Sequence, residues 1–334
     1  MYIYLTLSLI SRSDELCYNS VLYDGLYIYL TIIQHTIVKK MKRTQKDWAS
    51  EFRIYLREIP PKVFSCVELE PLFDNLRRRK ILPSRLSYNK FLAEVISRNM
   101  INKTNIRYVG KANSRRKEFI RYTYKSPSSF SIALSLRSRS YLSHISALFL
   151  HGLTEQPPET IIVNKEQSAK NSSNELTQAG IDRAFKKAAR QSNYIWAWKD
   201  SRFILLNGKQ TGDFGVINIK IDTGEHLRAT NLERTLVDIV VRPSYSGGVI
   251  EIVEAYRRAR KVLSTKKIVQ ILKRLDYAYP YHQSIGFVME RAGFEKQQLD
   301  LLRNEGINFD FYLDYQIRNK AYDDTWRLYF PKGL

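Results

Sequence analysis

Apolar residues recur at helical spacing in three segments between residues 45 and 101. The first runs from Gln45 to Leu56, and the second begins where Ser65 is followed three residues later by Glu68. That pair is the pattern of a capping box, in which side chains satisfy backbone amides of the first helical turn. The third segment is LPSRLSYNKFLAEVISRNMI, residues 82–101. Three helices are predicted, with the inner faces Trp48, Phe52, Tyr55 and Leu56; Leu69, Leu72, Phe73 and Leu76; Phe91, Leu92, Val95 and Ile96.

Two strand-like runs come after these helices. They are NIRYVG, residues 105–110, and EFIRYTY, residues 118–124, and KANSRRK joins them with residue types that favour a turn. Three helices followed by a basic two-stranded hairpin are typical of a winged helix-turn-helix. Residues 45–125 are therefore predicted to form such a domain.

The remainder of the chain mixes both kinds of element. Residues 124–140, YKSPSSFSIALSLRSRS, are rich in serine and predict a connection between domains. Phe130, Ile132, Leu134 and Leu136 alternate, so part of this connection is expected to form a strand or to pack on the second domain. Helical and strand patterns then occur without regular alternation, which favours an α+β domain over residues 130–334.

Positive charge is concentrated in one part of the chain. The 334 residues carry a formal net charge of +21, and residues 41–139 hold 23 Lys and Arg against 8 Asp and Glu, a balance of +15. Residues 140–334 hold 28 against 22, a balance of +6. Such a concentration indicates a surface for a polyanion such as DNA, because salt-dependent attraction requires clustered cations. The alternative is a solvated basic face.

A winged helix places the start of its third helix in the major groove. Side chains there are candidates for reading bases, and they are Arg85, Ser87, Asn89 and Lys90. Each could instead be an ordinary exposed helix residue. Three cations at the hairpin turn are candidates for contact with phosphates or the minor groove: Arg115, Arg116 and Lys117. The cations of residues 77–80 complement the dipole of the second helix and would lie beside a docked backbone.

Residues 1–40 match neither the charge nor the periodicity of the rest of the chain. They hold 3 basic and 3 acidic residues, and MKRTQKDW begins the basic region abruptly at Met41. We hypothesise that translation starts at Met41; a membrane-surface or edge-strand extension is the alternative. Their apolar stretches are shorter than the roughly 20 residues that cross a bilayer, and no secretory signal is evident. Two cysteines, Cys17 and Cys66, are too few for a disulfide framework, so a reducing cytoplasm is expected.

The segment TNLERTLVDIVVRP, residues 230–243, is the strongest candidate for catalysis. Thr230 and Glu233 have the spacing of a capping box, and Arg234 lies four residues before Asp238, within ion-pair reach. Helix framing therefore explains its polar residues, and neither catalytic residue, metal ligand nor cofactor is assigned. His144 and His151 are expected to form a hydrogen-bonded core pair, since no carboxylate nearby completes a metal site.

Several segments together resemble the AbiEi family, which comprises antitoxins and transcriptional regulators of bacterial type IV toxin-antitoxin systems. These segments are YLSHISALFLHGL, TIIVNKEQ, ILLNGKQTGDFGV, TNLERTLVDIVVRPSYSGGV, YPYHQSIGFVMERAGF and FDFYLDY. The resemblance implies an N-terminal DNA-binding domain that represses its own operon and a C-terminal domain that carries antitoxicity. It implies a nucleotidyltransferase-like toxin as the partner and leaves open whether the two proteins touch. It transfers no catalytic residue.

Three hypotheses about function remain. The first is a non-enzymatic antitoxin that binds double-stranded DNA at its own promoter in the cytoplasm. The second is a nucleic-acid-processing enzyme that uses a divalent metal with Asp310, Asp314, Glu233 or Asp238. The third is a regulator whose C-terminal domain binds a small effector. A neighbouring gene for a nucleotidyltransferase-like protein would favour the first.

Overall fold

The computed structural model describes residues 47–111, 117–168 and 175–334. The elements given below belong to one compact unit, Glu51–Leu334, apart from the first residues of α1. The predicted extension at residues 1–40, with its proposed start at Met41, lies outside the described residues. None of the helices in the described part is both long and apolar enough to span a membrane.

The described residues form helices and strands in a mixed order, which confirms the predicted α+β class. The helices are α1 (Trp48–Arg57), α2 (Cys66–Arg78), α3 (Tyr88–Ser97), α4 (Ser129–Leu134), α5 (His144–Leu150), α6 (Gln178–Phe185), α7 (Leu232–Val241), α8 (Val249–Ala259), α9 (Thr265–Leu275), α10 (Tyr281–Arg291) and α11 (Lys296–Arg303). The strands are β1 (Lys62–Phe64), β2 (Asn102–Tyr108), β3 (Glu118–Tyr124), β4 (Tyr141–Leu142), β5 (Thr160–Glu166), β6 (Ile195–Trp198), β7 (Ser201–Gly208), β8 (Val216–Lys220), β9 (His226–Thr230), β10 (Phe311–Tyr312), β11 (Lys320–Asp323) and β12 (Leu328–Pro331).

Local sequence explains how α2 begins. The amide of Ser65 donates to Glu68 Oε2 at 2.8 Å, so the predicted capping box is present. Aromatic side chains then join the first three helices: the ring centroid of Phe91 in α3 lies 5.4 Å from that of Phe52 and 5.3 Å from that of Phe73. Phe91 is fully buried, so α3 is anchored by the face opposite its polar residues.

Nine strands form one sheet, in the order β1-β3-β2-β6-β7-β5-β4-β9-β8. The hairpin of β2 and β3 is antiparallel, and β2 continues the sheet by pairing Arg107 with Ala197 and Tyr108 with Trp196 in β6. The sheet therefore runs across the predicted boundary at residues 125–130. One hydrophobic cluster also contains Ile106 on one side of that boundary and Phe203 on the other. That residues 45–125 and 130–334 form separate domains stays a prediction.

The alternating residues after the hairpin form a helix that packs against strands of the second predicted domain, so of the two expected outcomes the packing is found and the strand is not. Ser128 caps α4 by accepting the amide of Ser131 at 3.3 Å, and Ile132 and Ala133 are buried. A serine cap followed by two adjacent inward residues fits a single helical turn. The alternating pattern from Phe130 to Leu136 is too short to distinguish the period of a β-strand from that of an α-helix.

The second large hydrophobic cluster surrounds α7, in which every residue from Glu233 to Val240 is buried. A three-stranded sheet, β10-β12-β11, packs against α10. Gly286 permits this contact, because a Cβ atom at this position would lie 2.1 Å from Cζ3 of Trp326. The glycine in α10 is thus required by close packing against an indole ring.

Candidate nucleic-acid interface

The four predicted base-reading residues lie together at the start of α3. Arg85 and Ser87 occupy the turn before the helix, Asn89 and Lys90 occupy its first turn, and all four are exposed. Ser87 Oγ also accepts the amide of Lys90 at 3.4 Å, so Ser87 is the helix N-cap. Within the described residues, the polar groups of the Arg85, Asn89 and Lys90 side chains have no hydrogen-bond or ion-pair partner.

The turn that carries these residues is held by α2. Tyr88, the first residue of α3, packs edge-on against Phe73 with ring centroids 5.6 Å apart. Burial raises the pKa of Tyr88 to about 12, so its hydroxyl stays neutral. Arg77 lies over the Phe73 ring and donates to the carbonyl of Ser84. These contacts fix the direction of the exposed polar groups, which lowers the entropic cost of binding.

The electrostatics of this surface favour an anion. Arg78, Lys80, Arg85 and Lys90 are exposed, and none has an acidic partner within ion-pair distance in the described part of the chain. The start of α3 adds the partial positive charge of its unpaired backbone amides. Arg98 differs, because it pairs with Glu94 at 3.2 Å at the other end of the same helix. The unpaired positive charge is therefore at the end of α3 that was predicted to read bases.

The hairpin contributes further cations. Along β2 the exposed residues alternate as Lys103, Asn105 and Arg107, while Ile106 between them is fully buried. Lys103 was missed by the sequence analysis, because the strand begins at Asn102, earlier than predicted; the alternation itself could have identified it. Arg107 lies opposite Glu118 in the antiparallel register, which balances part of its charge.

The predicted turn residues are only partly described. Lys117 is exposed, and its Nζ lies 5.7 Å from the centroid of the Tyr108 ring. Arg115 and Arg116 fall outside the described residues. Of the three predicted phosphate contacts, the structure therefore places Lys117 alone, next to the end of β2.

The polar residues of the segment 230–243 form an interior pair. Nε of Arg234 donates to Oδ1 of Asp238 at 2.8 Å, and the two residues are 4% and 6% exposed. Arg234 also donates to the carbonyl of Phe214 at 3.0 Å. Burial raises the pKa of Asp238 above its ordinary value, and the Arg234 guanidinium opposes that shift. The ion pair lies within α7, and the hydrogen bond from Arg234 to Phe214 joins α7 to the loop before β8. Both members of the pair are buried.

The cap of α7 differs from the prediction. Asn231 is the N-cap and accepts the amide of Arg234 at 2.9 Å. Thr230 instead ends β9, where its hydroxyl bonds that of Thr235 at 2.7 Å. Glu233 takes no part in a capping box and pairs with Lys267 at 3.5 Å. The expected capping box of Thr230 and Glu233 was therefore wrong.

The carboxylates named in the enzyme hypothesis are bonded to other groups of the protein. Asp310 Oδ1 accepts from the Tyr322 hydroxyl at 2.7 Å and from Arg327 Nε at 2.9 Å, and these hydrogen bonds lower the pKa of its carboxyl. Asp314 accepts the amide of Tyr315 at 2.7 Å. Among the described residues, no three His, Cys, Asp or Glu side chains are grouped as a metal site requires.

His144, the first residue of α5, and His151, its C-cap, have separate partners. Nδ1 of His144 lies 2.8 Å from Ser143 Oγ, and Nε2 of His151 lies 2.7 Å from the carbonyl of Thr230. The expected hydrogen-bonded pair is therefore absent from the described contacts of both residues. Burial lowers the pKa of His144 to about 3, so its ring is neutral at physiological pH.

Comparison with known proteins gives a likeness of fold. No family model matches the chain, and the search of curated proteins found no match. Among solved structures, the crystal structure of the RV2827C protein from Mycobacterium tuberculosis matches with a TM-score of 0.51 and 13% sequence identity. The match covers 86% of this chain and 93% of that chain. At this identity the likeness concerns the architecture alone.

Proposed function

We propose that this protein is a sequence-specific, double-stranded-DNA-binding autorepressor with a winged helix-turn-helix in residues 45–125. The observation that carries the proposal is the start of α3, where Arg85, Asn89 and Lys90 are exposed, have no acidic partner among the described residues, and are held by packing of Tyr88 on Phe73. Arginine can bind guanine in a bidentate manner, and asparagine can bind adenine likewise. Backbone amides at the same helix start suit a phosphate.

The order of elements supports this proposal. Strand β1 lies between α1 and α2, pairs antiparallel with β3, and β3 pairs with β2. Helix, strand, two helices and a hairpin is the order of a winged helix, with α3 as the recognition helix and β2–β3 as the wing. The cations of the wing, Lys103 and Lys117, would contact the backbone and position the protein.

We further propose that residues 130–334 carry antitoxicity against a cognate nucleotidyltransferase-like toxin and that the protein is not an enzyme. The resemblance to the AbiEi family supports the first statement. The interior position of the Arg234–Asp238 pair supports the second, because the charged residues of the segment that was the strongest candidate for catalysis serve the core. A cytoplasmic location follows from an operon promoter as ligand, and the proposed activity requires no cofactor.

A salt-titrated mobility-shift experiment tests base reading. The Arg85→Ala and Asn89→Ala variants should lose discrimination between the promoter and random duplex by about 1–3 kcal/mol for each bidentate contact. Their affinity for random duplex should change little. Arg98→Ala is the matched control, because it removes an arginine from the opposite end of α3. Equal affinity of the unchanged protein for promoter and random duplex would overturn the proposal.

The wing is tested by the same titration. Arg115→Ala with Arg116→Ala should weaken binding to every duplex and reduce the salt slope by roughly one for each phosphate that the variant no longer neutralises. Lys103→Ala should act in the same direction, since it is exposed on β2. A loss of sequence discrimination without a change in slope would contradict the assignment of these residues to the backbone.

Antitoxicity is tested by co-expression with the toxin encoded nearby. The full chain should restore growth, and it should do so when Arg85 and Asn89 are alanine, because the proposal separates repression from antitoxicity. Purified protein incubated with magnesium and nucleic acid should yield no cleaved or extended product. Turnover that disappears when Asp310 or Asp314 is replaced would favour the enzyme hypothesis instead.

A further inference from the structure

A row of tyrosines crosses the small sheet at the end of the chain. Tyr329 in β12 is in register with Tyr312 in β10 and with Tyr322 in β11. The ring centroid of Tyr329 lies 4.9 Å from that of Tyr312 and 4.8 Å from that of Tyr322. The buried residues of these strands, Phe311 and Leu328, point to the core, so the tyrosine row forms the outer face.

The rings of the tyrosine row are held in place by charged groups. The Tyr322 hydroxyl donates to Asp310 Oδ1 at 2.7 Å, and the same oxygen accepts from Arg327. The Tyr312 hydroxyl donates to Asp182 in α6 at 3.1 Å. Because these bonds restrict rotation, a ligand that stacks on the rings loses less side-chain entropy. Tyr322 is 39% exposed, and within the described residues no cation lies over its ring.

Four exposed lysines and arginines are here called the basic rim: Lys186, Lys187, Arg318 and Lys320. Lys186 and Lys187 directly follow Phe185, whose ring stacks on Tyr312 with centroids 5.6 Å apart, and Arg318 lies two residues before Lys320 in β11. Nζ of Lys320 lies 4.1 Å from the Tyr329 centroid. The amide of Gln316 donates to the carbonyl of Phe185 at 2.8 Å, which brings the end of α6 beside the segment that precedes β11. None of the four cations has an acidic partner within ion-pair distance among the described residues.

We propose that the tyrosine row and the basic rim bind single-stranded nucleic acid, with a base stacked on Tyr322 and phosphates beside the lysines. Aromatic rings on a sheet face supply sequence-tolerant stacking, and neighbouring cations follow the backbone. An acidic protein segment would use the cations but has no planar base for the rings, so the juxtaposition favours a nucleic acid. This function goes beyond repression at the promoter and involves a separate sheet.

Fluorescence anisotropy of the full chain with a labelled oligouridylate tests the proposal, with excess unlabelled duplex present to occupy α3. The Tyr322→Ala variant should weaken binding by about 5- to 160-fold, the range expected when one base stack is removed. Tyr322→Phe should retain most of the affinity, because the ring remains. Unchanged affinity in Tyr322→Ala would overturn the proposal.

A charge-matched pair of variants tests the basic rim. Lys186→Ala with Lys187→Ala should lower the salt slope by about 0.7 for each phosphate that is no longer neutralised. Lys261→Ala with Lys266→Ala removes two lysines that are also exposed and unpaired in the described structure, and it should have no such effect. Equal weakening by both pairs would show attraction by net charge alone and would overturn the proposal.

Two further measurements separate the alternatives. Polyglutamate that competes with the oligouridylate equally in the unchanged protein and in Tyr322→Ala would assign the surface to an acidic protein and overturn the proposal. Binding of promoter duplex should be unchanged in Tyr322→Ala, whereas Arg85→Ala should leave oligouridylate binding intact. Failure at the tyrosine row is thus distinguishable from failure of the proposed repressor function.

Discussion

Removing the Asp238 carboxylate should leave the buried guanidinium of Arg234 without its ion-pair partner. Arg234 and Asp238 are 4% and 6% exposed and are joined by a hydrogen bond of 2.8 Å. In Asp238→Ala, the side chain of Arg234 keeps the carbonyl of Phe214, at 3.0 Å, as its remaining acceptor in the described structure. Loss of one partner from a buried pair costs about 3–5 kcal/mol. That is a large part of the roughly 5–15 kcal/mol by which a domain is stable.

The Arg234–Asp238 pair as a whole is expected to stabilise the fold by far less than the free energy that is lost when one partner is removed. Replacing both partners with apolar residues, Arg234→Met with Asp238→Leu, removes the uncompensated charge and should recover most of the stability. Urea unfolding of the single and double variants measures the difference directly. The reasoning is refuted if Asp238→Ala unfolds at the same urea concentration as the unchanged protein, or if the double variant is as unstable as the single one.

Three more predictions concern other parts of the core. The pKa of His144 is about 3 in the folded chain and 6.5 when unfolded, so the unfolded state gains a proton first as pH falls. Stability from this group should be complete above about pH 6.5 and should fall by about 1.4 kcal/mol per pH unit toward pH 3. His144→Asn, which tolerates the φ of 53° at this position, should remove that slope in urea unfolding. Gly286→Ala should lower the melting temperature through a loss of about 1–3 kcal/mol or more, because its Cβ would meet Trp326. Glu166→Gln should speed hydrogen exchange at the amide of Thr211, which donates to this carboxylate at 2.8 Å.

Each of these changes has a control. His226→Asn alters an exposed histidine and should leave the pH dependence unchanged. Gly180→Ala lies in a helix where the nearest atom to a new Cβ is Thr177 Oγ1 at 3.1 Å, so it should be tolerated. Glu159→Gln changes an exposed carboxylate and should not affect exchange at Thr211. An equal effect of a control and its test variant would contradict the corresponding assignment.

Features that depend on a few neighbouring residues could be predicted from the sequence. The Ser65–Glu68 capping box and the inward face of α3 each need only one or two helical turns to form. The cap of α7 was misplaced by one residue, because Thr230 and Asn231 are both good capping residues. The choice between them depends on β9, in which Thr230 is the last paired residue.

Features that depend on distant pairing could not be predicted. The pairing of Arg107 with Ala197 joins segments separated by a second set of helices and strands, and no local pattern indicates it. Likewise, His144 and His151 were expected to bond each other, but the fold brings the carbonyl of Thr230 to His151, and His144 bonds its sequence neighbour Ser143. At the candidate interface, the start of α3 was located correctly as an exposed polar cluster, whereas Lys103 required the true beginning of β2.

The pairing of β2 with β6 has a consequence for how this protein could change over evolution. If residues 47–125 were transferred to another protein, β2 would lose its neighbour and expose a row of unpaired amides and carbonyls, which invites aggregation. The ring of Trp196, which packs 4.5 Å from that of Phe119, would be lost as well. If the proposed DNA-binding function holds, specificity is therefore expected to change by substitutions at the start of α3, and transfer of the whole N-terminal part is expected to be rare.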